Sequence, residues 1–143
     1  MEFFRNINRS VADIVAIPAI NSVLILAARL LAAWIFISAG LGKTGAAYAG
    51  TAGYMESVGL SGALLPLVIL LEVGGGLALI AGFQTRLAAL ALAIFSIVSA
   101  FIFHSAADPM QQIMFMKNLA MAGGLLAFTV FGAGRLSLDA ETR

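Results

Sequence analysis

Four long apolar runs dominate the chain, and they predict membrane-spanning helices. The runs cover residues 23–42, 63–83, 87–103 and 113–131. Each reaches the roughly 17–25 residues that a helix needs to cross the hydrocarbon core of a bilayer. Turn-forming residues separate the second run from the third at 82–86, and Asp108-Pro109 precedes the fourth run. We therefore predict an all-α membrane protein, a four-transmembrane-helix bundle that forms one domain over residues 1–143.

Two segments outside these runs have amphipathic or semi-polar patterns. Ahead of the first run, apolar residues recur every three or four positions, at Phe3, Phe4, Ile7, Val11, Ile14 and Val15. This spacing is typical of an N-terminal amphipathic helix in the membrane interface, and a partly ordered tail is the alternative. The segment lacks the pattern of a secretory signal. The link at 43–62 is a second candidate for a short interfacial helix.

Composition agrees with a protein whose main partner is the lipid bilayer. The chain is 62% hydrophobic and 10% charged, which lies outside the range of water-soluble domains. A net charge of +1 gives no reason to expect a nucleic-acid partner. With no cysteine and one histidine, the chain cannot supply a tetrahedral zinc site or a bis-histidine haem, so we expect no metal.

Basic residues predict the orientation of the bundle. Five arginines fall on one side of it, namely Arg5, Arg9, Arg86, Arg135 and Arg143. The other side has Lys43, with Lys117 just inside the fourth run. Because cytoplasmic loops carry an excess of Lys and Arg, both termini are predicted to be cytoplasmic.

Glu72 is the most unusual residue, because it lies near the middle of the second run. A charge at the bilayer centre costs roughly 2.5–3.5 kcal/mol on insertion scales, so Glu72 should face the bundle interior and have a partner. Arg29 lies about two turns into the first run, at a depth that we expect to be within roughly 6 Å of Glu72. We therefore predict a buried Arg29–Glu72 ion pair.

A second polar group is predicted towards the non-cytoplasmic side. Lys43 ends the first run, His104 ends the third, and Lys117-Asn118 lies about one turn inside the fourth. With Glu72 below them, these side chains would form a site for an anion or a polar ring. Two alternatives stay open: Lys117 extends outward to water along its stem, and His104 is an ordinary interfacial residue.

Several short motifs follow one another along residues 24–139. Among them are Ala39-Gly40-Leu41-Gly42-Lys43, Leu70-Leu71-Glu72-Val73-Gly74-Gly75-Gly76 and Phe115-Met116-Lys117-Asn118-Leu119. By these motifs the chain resembles the DoxX family of small bacterial four-span inner-membrane proteins, and is most similar to its YqjF-like branch. The family's polar positions correspond to Arg29, Lys43, Glu72, Arg86, His104, Lys117 and Asn118. Ala133 departs from the pattern, since proline is common there.

The resemblance implies an association with membrane oxidoreductases that handle sulfur or oxidative stress. Our first hypothesis is therefore a quinone-linked membrane subunit, in which His104, Lys117 and Arg29 donate hydrogen bonds to a quinone and Glu72 handles protons. Glu72 and His104 are the candidate catalytic residues. The candidate ligand-binding residues are Arg29, Lys43, Glu72, His104, Lys117 and Asn118. Because the chain has no redox centre, a soluble or membrane oxidoreductase partner would supply the electrons.

Two other functions fit the same residues. An assembly or scaffold protein would use its buried polar pair only to fix the register of two helices. A transporter or binding protein for a small anion or weak acid would use Glu72 for proton coupling, and four spans would then require a homo-oligomer.

Overall fold

The computed structural model describes residues 1–142, and in this part of the chain it contains helices and no strand. The α-helices are α1 (Glu2–Ala16), α2 (Pro18–Gly42), α3 (Tyr48–Ser57), α4 (Leu65–Ala81), α5 (Thr85–Phe103) and α6 (Pro109–Phe131). Four of them are long and apolar enough to cross a membrane: α2, α4 with the 3₁₀ turn before it, α5 and α6. The predicted all-α bundle with four spans is confirmed.

Two of the spans begin earlier than the apolar runs suggested, because proline starts both of them. Pro18 occupies the first turn of α2 and follows Ile17, whose backbone is extended. Pro109 starts α6, where the Asp108 carboxylate accepts hydrogen bonds from the backbone N–H groups of Met110 and Gln111, each at 3.1 Å. Proline suits these positions because the first turn of a helix does not use its N–H groups internally.

The segments outside the spans are also helical. None of the residues of α1 is buried, and its apolar side chains are exposed, with Phe3 at 69% and Phe4 at 75%. The predicted N-terminal helix is therefore present, while its contact with the bilayer surface stays a prediction. The predicted short helix in the second link is α3, which buries Met55.

The topology groups the basic residues as the sequence suggested. The end of the bundle that holds α1, the α4–α5 turn and the segment after α6 carries the arginines Arg5, Arg9, Arg86 and Arg135. Lys43 and Lys117 belong to the opposite end. Arg143 lies outside the described residues. Which compartment each end faces stays a prediction.

The four spans do not pack evenly around the bundle. Helix α2 packs along α4, and α5 packs along α6, whereas α2 and α6 meet at only a few positions. The buried core lies between the well-packed spans and contains Ala33, Phe36, Leu79, Ala89, Leu92, Ala93, Ala122 and Leu125. A gap therefore remains on the side of the bundle where α2 faces α6.

Two glycines set the register between α2 and α4. A Cβ atom at Gly40 would lie 2.7 Å from Val73 Cγ2 and 3.1 Å from Glu72 Cβ. On the partner helix, a Cβ atom at Gly76 would lie 2.6 Å from Ile37 Cγ1. Neither contact leaves room for a side chain at these positions. The two helices can therefore approach this closely only because residues 40 and 76 are glycine.

The segment after α6 folds back onto the α4–α5 turn through Asp139. Its backbone N–H donates to the carbonyl oxygen of Gly82 at 2.8 Å. Its carboxylate accepts hydrogen bonds from the N–H groups of Gln84 at 2.8 Å and Thr85 at 2.9 Å. Asp139 thus satisfies backbone donors at the start of α5, as an N-cap residue does, although it is distant in sequence.

Gly76→Ala should destabilise the protein, because the added methyl group must displace Ile37 at the α2–α4 contact. We expect a loss of about 1–3 kcal/mol, the usual cost of overpacking. Gly74→Ala is the matched control, since the nearest atom to its Cβ would be Leu70 Cδ1 at an ordinary 3.8 Å. Unfolding of both variants in detergent, followed by circular dichroism, measures the difference. Equal stabilities would contradict the proposed register contact.

Asp139→Ala should lower stability by about 1 kcal/mol at neutral pH, because α5 loses its capping carboxylate. Burial by itself raises the pKa of Asp139, but hydrogen bonds from Thr85 and Gln84 and the charge of Arg29 hold that pKa below its ordinary 3.8. The stabilisation is therefore complete above the unfolded pKa and is lost as pH falls through the lower folded pKa.

Unfolding curves of the wild type and of Asp139→Ala, recorded from neutral pH down to acid, check this expectation. The gap between the two proteins should narrow only below about pH 4. Asp13→Ala, a change at an exposed residue of α1, serves as the control. A gap that stays constant down to strong acid would show that the carboxylate charge does not contribute.

Candidate functional site

A cavity of about 460 Å³ lies at the end of the bundle opposite the termini. We call it the polar cavity. Its walls are mostly apolar and come from α2, α3, α4, α5 and α6. It also brings together five of the six predicted ligand-binding residues, namely Lys43, Glu72, His104, Lys117 and Asn118. A concave, largely apolar site with a few polar groups is the usual form of a small-molecule site.

Lys43 and Glu72 form an ion pair on the wall of this cavity. The ammonium of Lys43 donates to Oε1 and Oε2 of Glu72 at 2.8 and 2.7 Å, and to the carbonyl oxygen of Ala39 at 3.1 Å. Glu72 is only 4% exposed. These three acceptors match the three N–H donors of the ammonium, so Lys43 is fully engaged. The buried carboxylate is paired with a cation from α2.

The predicted ion pair between Arg29 and Glu72 is wrong. Arg29 is 1% exposed and donates instead to three backbone carbonyl oxygens. These belong to Ala133 at 2.7 Å, Leu136 at 2.9 Å and Ile80 at 2.8 Å. Arg29 therefore joins α2 to the end of α4 and to the segment after α6. It does not line the polar cavity.

The register of α2 against α4 explains this difference. Gly40 lies opposite Glu72, so Arg29, three turns earlier on α2, lies opposite the end of α4. Ile80 is two turns beyond Glu72, roughly 12 Å along the helix. The Ile80 carbonyl is one of the last in α4, where a cation is favoured by the helix dipole. The lengths of the apolar runs alone do not predict this difference in depth between Arg29 and Glu72.

His104 and Lys117 lie where the cavity approaches water. Nδ1 of His104 lies 2.7 Å from Oε1 of Gln111, a hydrogen bond that fixes the orientation of the ring. Lys117 is exposed, and its ammonium contacts Met114 Sδ at 3.1 Å. Its exposure agrees with the interpretation that its stem extends outward, although the residue still lines the cavity.

Asn118 is a polar residue of the cavity for which the described part of the protein supplies no partner. It is 8% exposed and lines the polar cavity, yet its side-chain amide makes no hydrogen bond to any residue in the described part of the chain. Among the described residues, the fully buried side-chain atoms without a partner are Arg29 Nε and Thr85 Oγ1, so the Asn118 amide is not fully enclosed by protein. It is therefore available to a molecule in the cavity.

Four further polar residues line the cavity and were not predicted, namely Thr51, Tyr54, Ser96 and Ser99. Tyr54 reaches it from α3 and stacks on Phe103 at a ring distance of 5.6 Å, and Ser99 reaches it from α5. The sequence shows Tyr54 in a link and Ser99 in an apolar run. Neither pattern indicates that α3 folds over the end of the cavity, and only the packing reveals it.

Comparison with known proteins agrees with this architecture. Residues 24–105 match the DoxX family. The chain belongs to the DoxX family. It is 52% identical over 117 residues to inner membrane protein YqjF of Escherichia coli (strain K12), which covers 80% of this chain and 88% of that protein. It is 33% identical over 130 residues to inner membrane protein YphA of the same organism, covering 85% and 91%. No solved structure matches the chain.

These findings confirm the resemblance and its YqjF-like character. With four spans in the structure, this DoxX-family chain is a multi-pass protein of the bacterial inner membrane. The catalytic roles assigned to Glu72 and His104 stay predictions, as does the ligand-binding role of the residues around the cavity.

Lys43→Met should destabilise the protein by up to about 3–5 kcal/mol, because it leaves the Glu72 carboxylate buried without its cation. The double variant Lys43→Met/Glu72→Met should recover most of that loss, because it removes the charge together with its partner. Thermal unfolding of the purified variants in one detergent measures both effects.

Lys117→Met is the matched control, since this exposed lysine has no carboxylate partner among the described residues. It should leave the unfolding temperature close to that of the wild type. A double variant that is no more stable than Lys43→Met would contradict the ion pair.

Proposed function

We propose that this DoxX-family protein is the membrane subunit of a quinone-linked oxidoreductase system, and that the polar cavity binds the quinone head group. The observation that carries the proposal is the unpartnered amide of Asn118, buried at the wall of a mostly apolar cavity. A quinone head group is a flat apolar ring with two carbonyl acceptors, so it complements an apolar slot that offers hydrogen-bond donors.

The hydrogen-bond donors that the cavity offers to such a head group differ from those expected from the sequence. Asn118 and the Tyr54 hydroxyl are donors that the protein leaves unused among its described residues. Arg29 has no part in the site, and Lys43 is engaged by Glu72. His104 at the open end and Glu72 on the wall are the groups able to hold or pass a proton.

The chemistry of electron transfer belongs to the quinone and to a partner. A quinone accepts two electrons and two protons when it is reduced to a quinol, and the polypeptide contributes binding, orientation and proton-carrying groups. The system therefore includes a soluble or membrane oxidoreductase that delivers the electrons. Oxidative-stress or sulfur chemistry would be a property of that partner.

A scaffold role is the second candidate, and one observation favours it. Both deeply buried charges have partners within the protein: Glu72 pairs with Lys43, and the two terminal nitrogens of Arg29 donate to backbone carbonyls, although Arg29 Nε has no partner. Such contacts fix helix register without any ligand. A small-anion or weak-acid site is less well supported, because Lys43 and Arg29 are engaged and Lys117 lies exposed at the open end of the cavity.

Asn118→Leu separates the first two candidates. If the cavity binds a quinone, this change should weaken binding of a short-chain ubiquinone analogue at least about tenfold, since one hydrogen bond to a buried amide is lost. Stability should stay the same or rise, because no hydrogen bond within the protein is lost. Calorimetric titration and thermal unfolding of the purified protein measure the two quantities.

Ser96→Ala is the matched control. Ser96 also lines the cavity, but its hydroxyl donates to the carbonyl oxygen of Leu92 at 2.8 Å and is not free for a ligand. Its loss should leave quinone affinity unchanged. Wild-type protein that binds no quinone analogue, with an Asn118→Leu variant that is only more stable, would support the scaffold role and overturn the quinone proposal.

A further inference from the structure

A second hollow opens on the side of the bundle where α2 and α6 pack poorly. It has a volume of about 710 Å³, and we call it the apolar groove. Its wall is almost entirely apolar and includes Ile25, Leu31, Phe36, Met121, Gly124 and Phe128. Such a surface would be covered by hydrocarbon in a bilayer.

The apolar groove adjoins the polar cavity. Phe36 of α2 and Met121 of α6 line both hollows, so these two side chains lie between the cavity and the groove. From this point the groove follows α2 as far as Asn21, a distance of roughly 22 Å along the helix. It therefore runs through much of the approximately 30 Å thickness of the hydrocarbon core.

We propose that the apolar groove holds the hydrocarbon chain of an amphipathic ligand whose polar head group occupies the polar cavity. This inference rests on the proposed function, in which that head group is a quinone. The polar cavity and the apolar groove then match the two parts of one molecule, a polar ring and an isoprenoid chain. The chain leaves the cavity past Phe36 and Met121 and continues between α2 and α6 toward the lipid.

The closeness of the two hollows, which share Phe36 and Met121 in their walls, favours this occupant over a helix from a second copy. A neighbouring helix would cover the groove from the lipid side, and its binding would not require a connection to a cavity. A ligand chain would enter the groove from the cavity end, past Phe36 and Met121, the side chains that line both spaces. Met121 can also move aside readily, because an unbranched thioether side chain adapts to irregular space.

Two adjacent glycines of α6 provide a matched test. Gly124 lines the groove and Gly123 does not, and an added Cβ atom would meet no neighbouring atom within 4 Å at either position. Leucine at either position should therefore be tolerated by the fold. In Gly124→Leu the side chain fills the groove, whereas in Gly123→Leu it does not.

The experiment compares two ubiquinone analogues with the same head group, one without an isoprenoid chain and one with a long chain. Binding is measured in nanodiscs and corrected for partition into empty nanodiscs. The wild type and Gly123→Leu should bind the long-chain analogue at least about tenfold more tightly than the chainless one. Gly124→Leu should lose that preference and keep its affinity for the chainless analogue, and Gly124→Ala should have a smaller effect.

Each other result has a defined meaning. Equal wild-type affinities for the two analogues would overturn the assignment of the groove and leave the quinone head-group site intact. Wild type that binds neither analogue would overturn the proposed function and this inference with it. A change of oligomeric state in Gly124→Leu but not in Gly123→Leu, detected by native mass spectrometry, would show that a second copy covers the groove and would also overturn the inference.

Discussion

The close antiparallel contact between α2 and α4 is the constraint on which the site depends. Gly40 and Gly76 allow the two backbones to approach, and the resulting register places the Lys43 ammonium beside the Glu72 carboxylate. A charge at this depth is tolerated only with a partner, so packing and electrostatics favour the same alignment. The same register places Arg29 at the end of α4, where the backbone carbonyl oxygen of Ile80 accepts a hydrogen bond from it. One helix contact therefore decides which polar residues face the cavity.

The polar groups at the two ends of the bundle differ in their hydrogen-bond partners. At the end that holds the termini, Arg29, Arg86 and Asp139 bind backbone carbonyl or N–H groups at helix ends and in the segment after α6. These contacts close the bundle. At the opposite end, Asn118 is buried without a protein partner, and Tyr54 and His104 face the same cavity. Polar groups that face a largely apolar cavity and have no protein partner can bind a ligand, so this end is where a ligand is expected.

Uneven packing gives the bundle a second functional feature. Because α2 and α6 contact each other little, a groove separates them and extends as far as Phe36 and Met121, which also line the polar cavity. A quinone is a membrane-soluble molecule, and its site needs an opening toward the bilayer as well as polar contacts. In the proposed function the polar cavity and the apolar groove supply both within a single chain, and a partner protein supplies the electrons. This arrangement distinguishes the proposed subunit from a self-contained quinone reductase.

Apolar run lengths, proline and charge determined the four spans, the N-terminal helix and the membrane class, because these depend on local sequence and on the thickness of the bilayer. Local sequence also singled out Lys43, Glu72, His104, Lys117 and Asn118, since polar residues in apolar runs are costly. The partners of those residues were decided only by the tertiary structure. Helix register depends on side-chain packing at Gly40 and Gly76. The acceptors of Arg29 are backbone carbonyls, which every residue has, so the sequence pattern does not identify them. Likewise, only the packing brings α3 over the cavity and leaves the gap between α2 and α6.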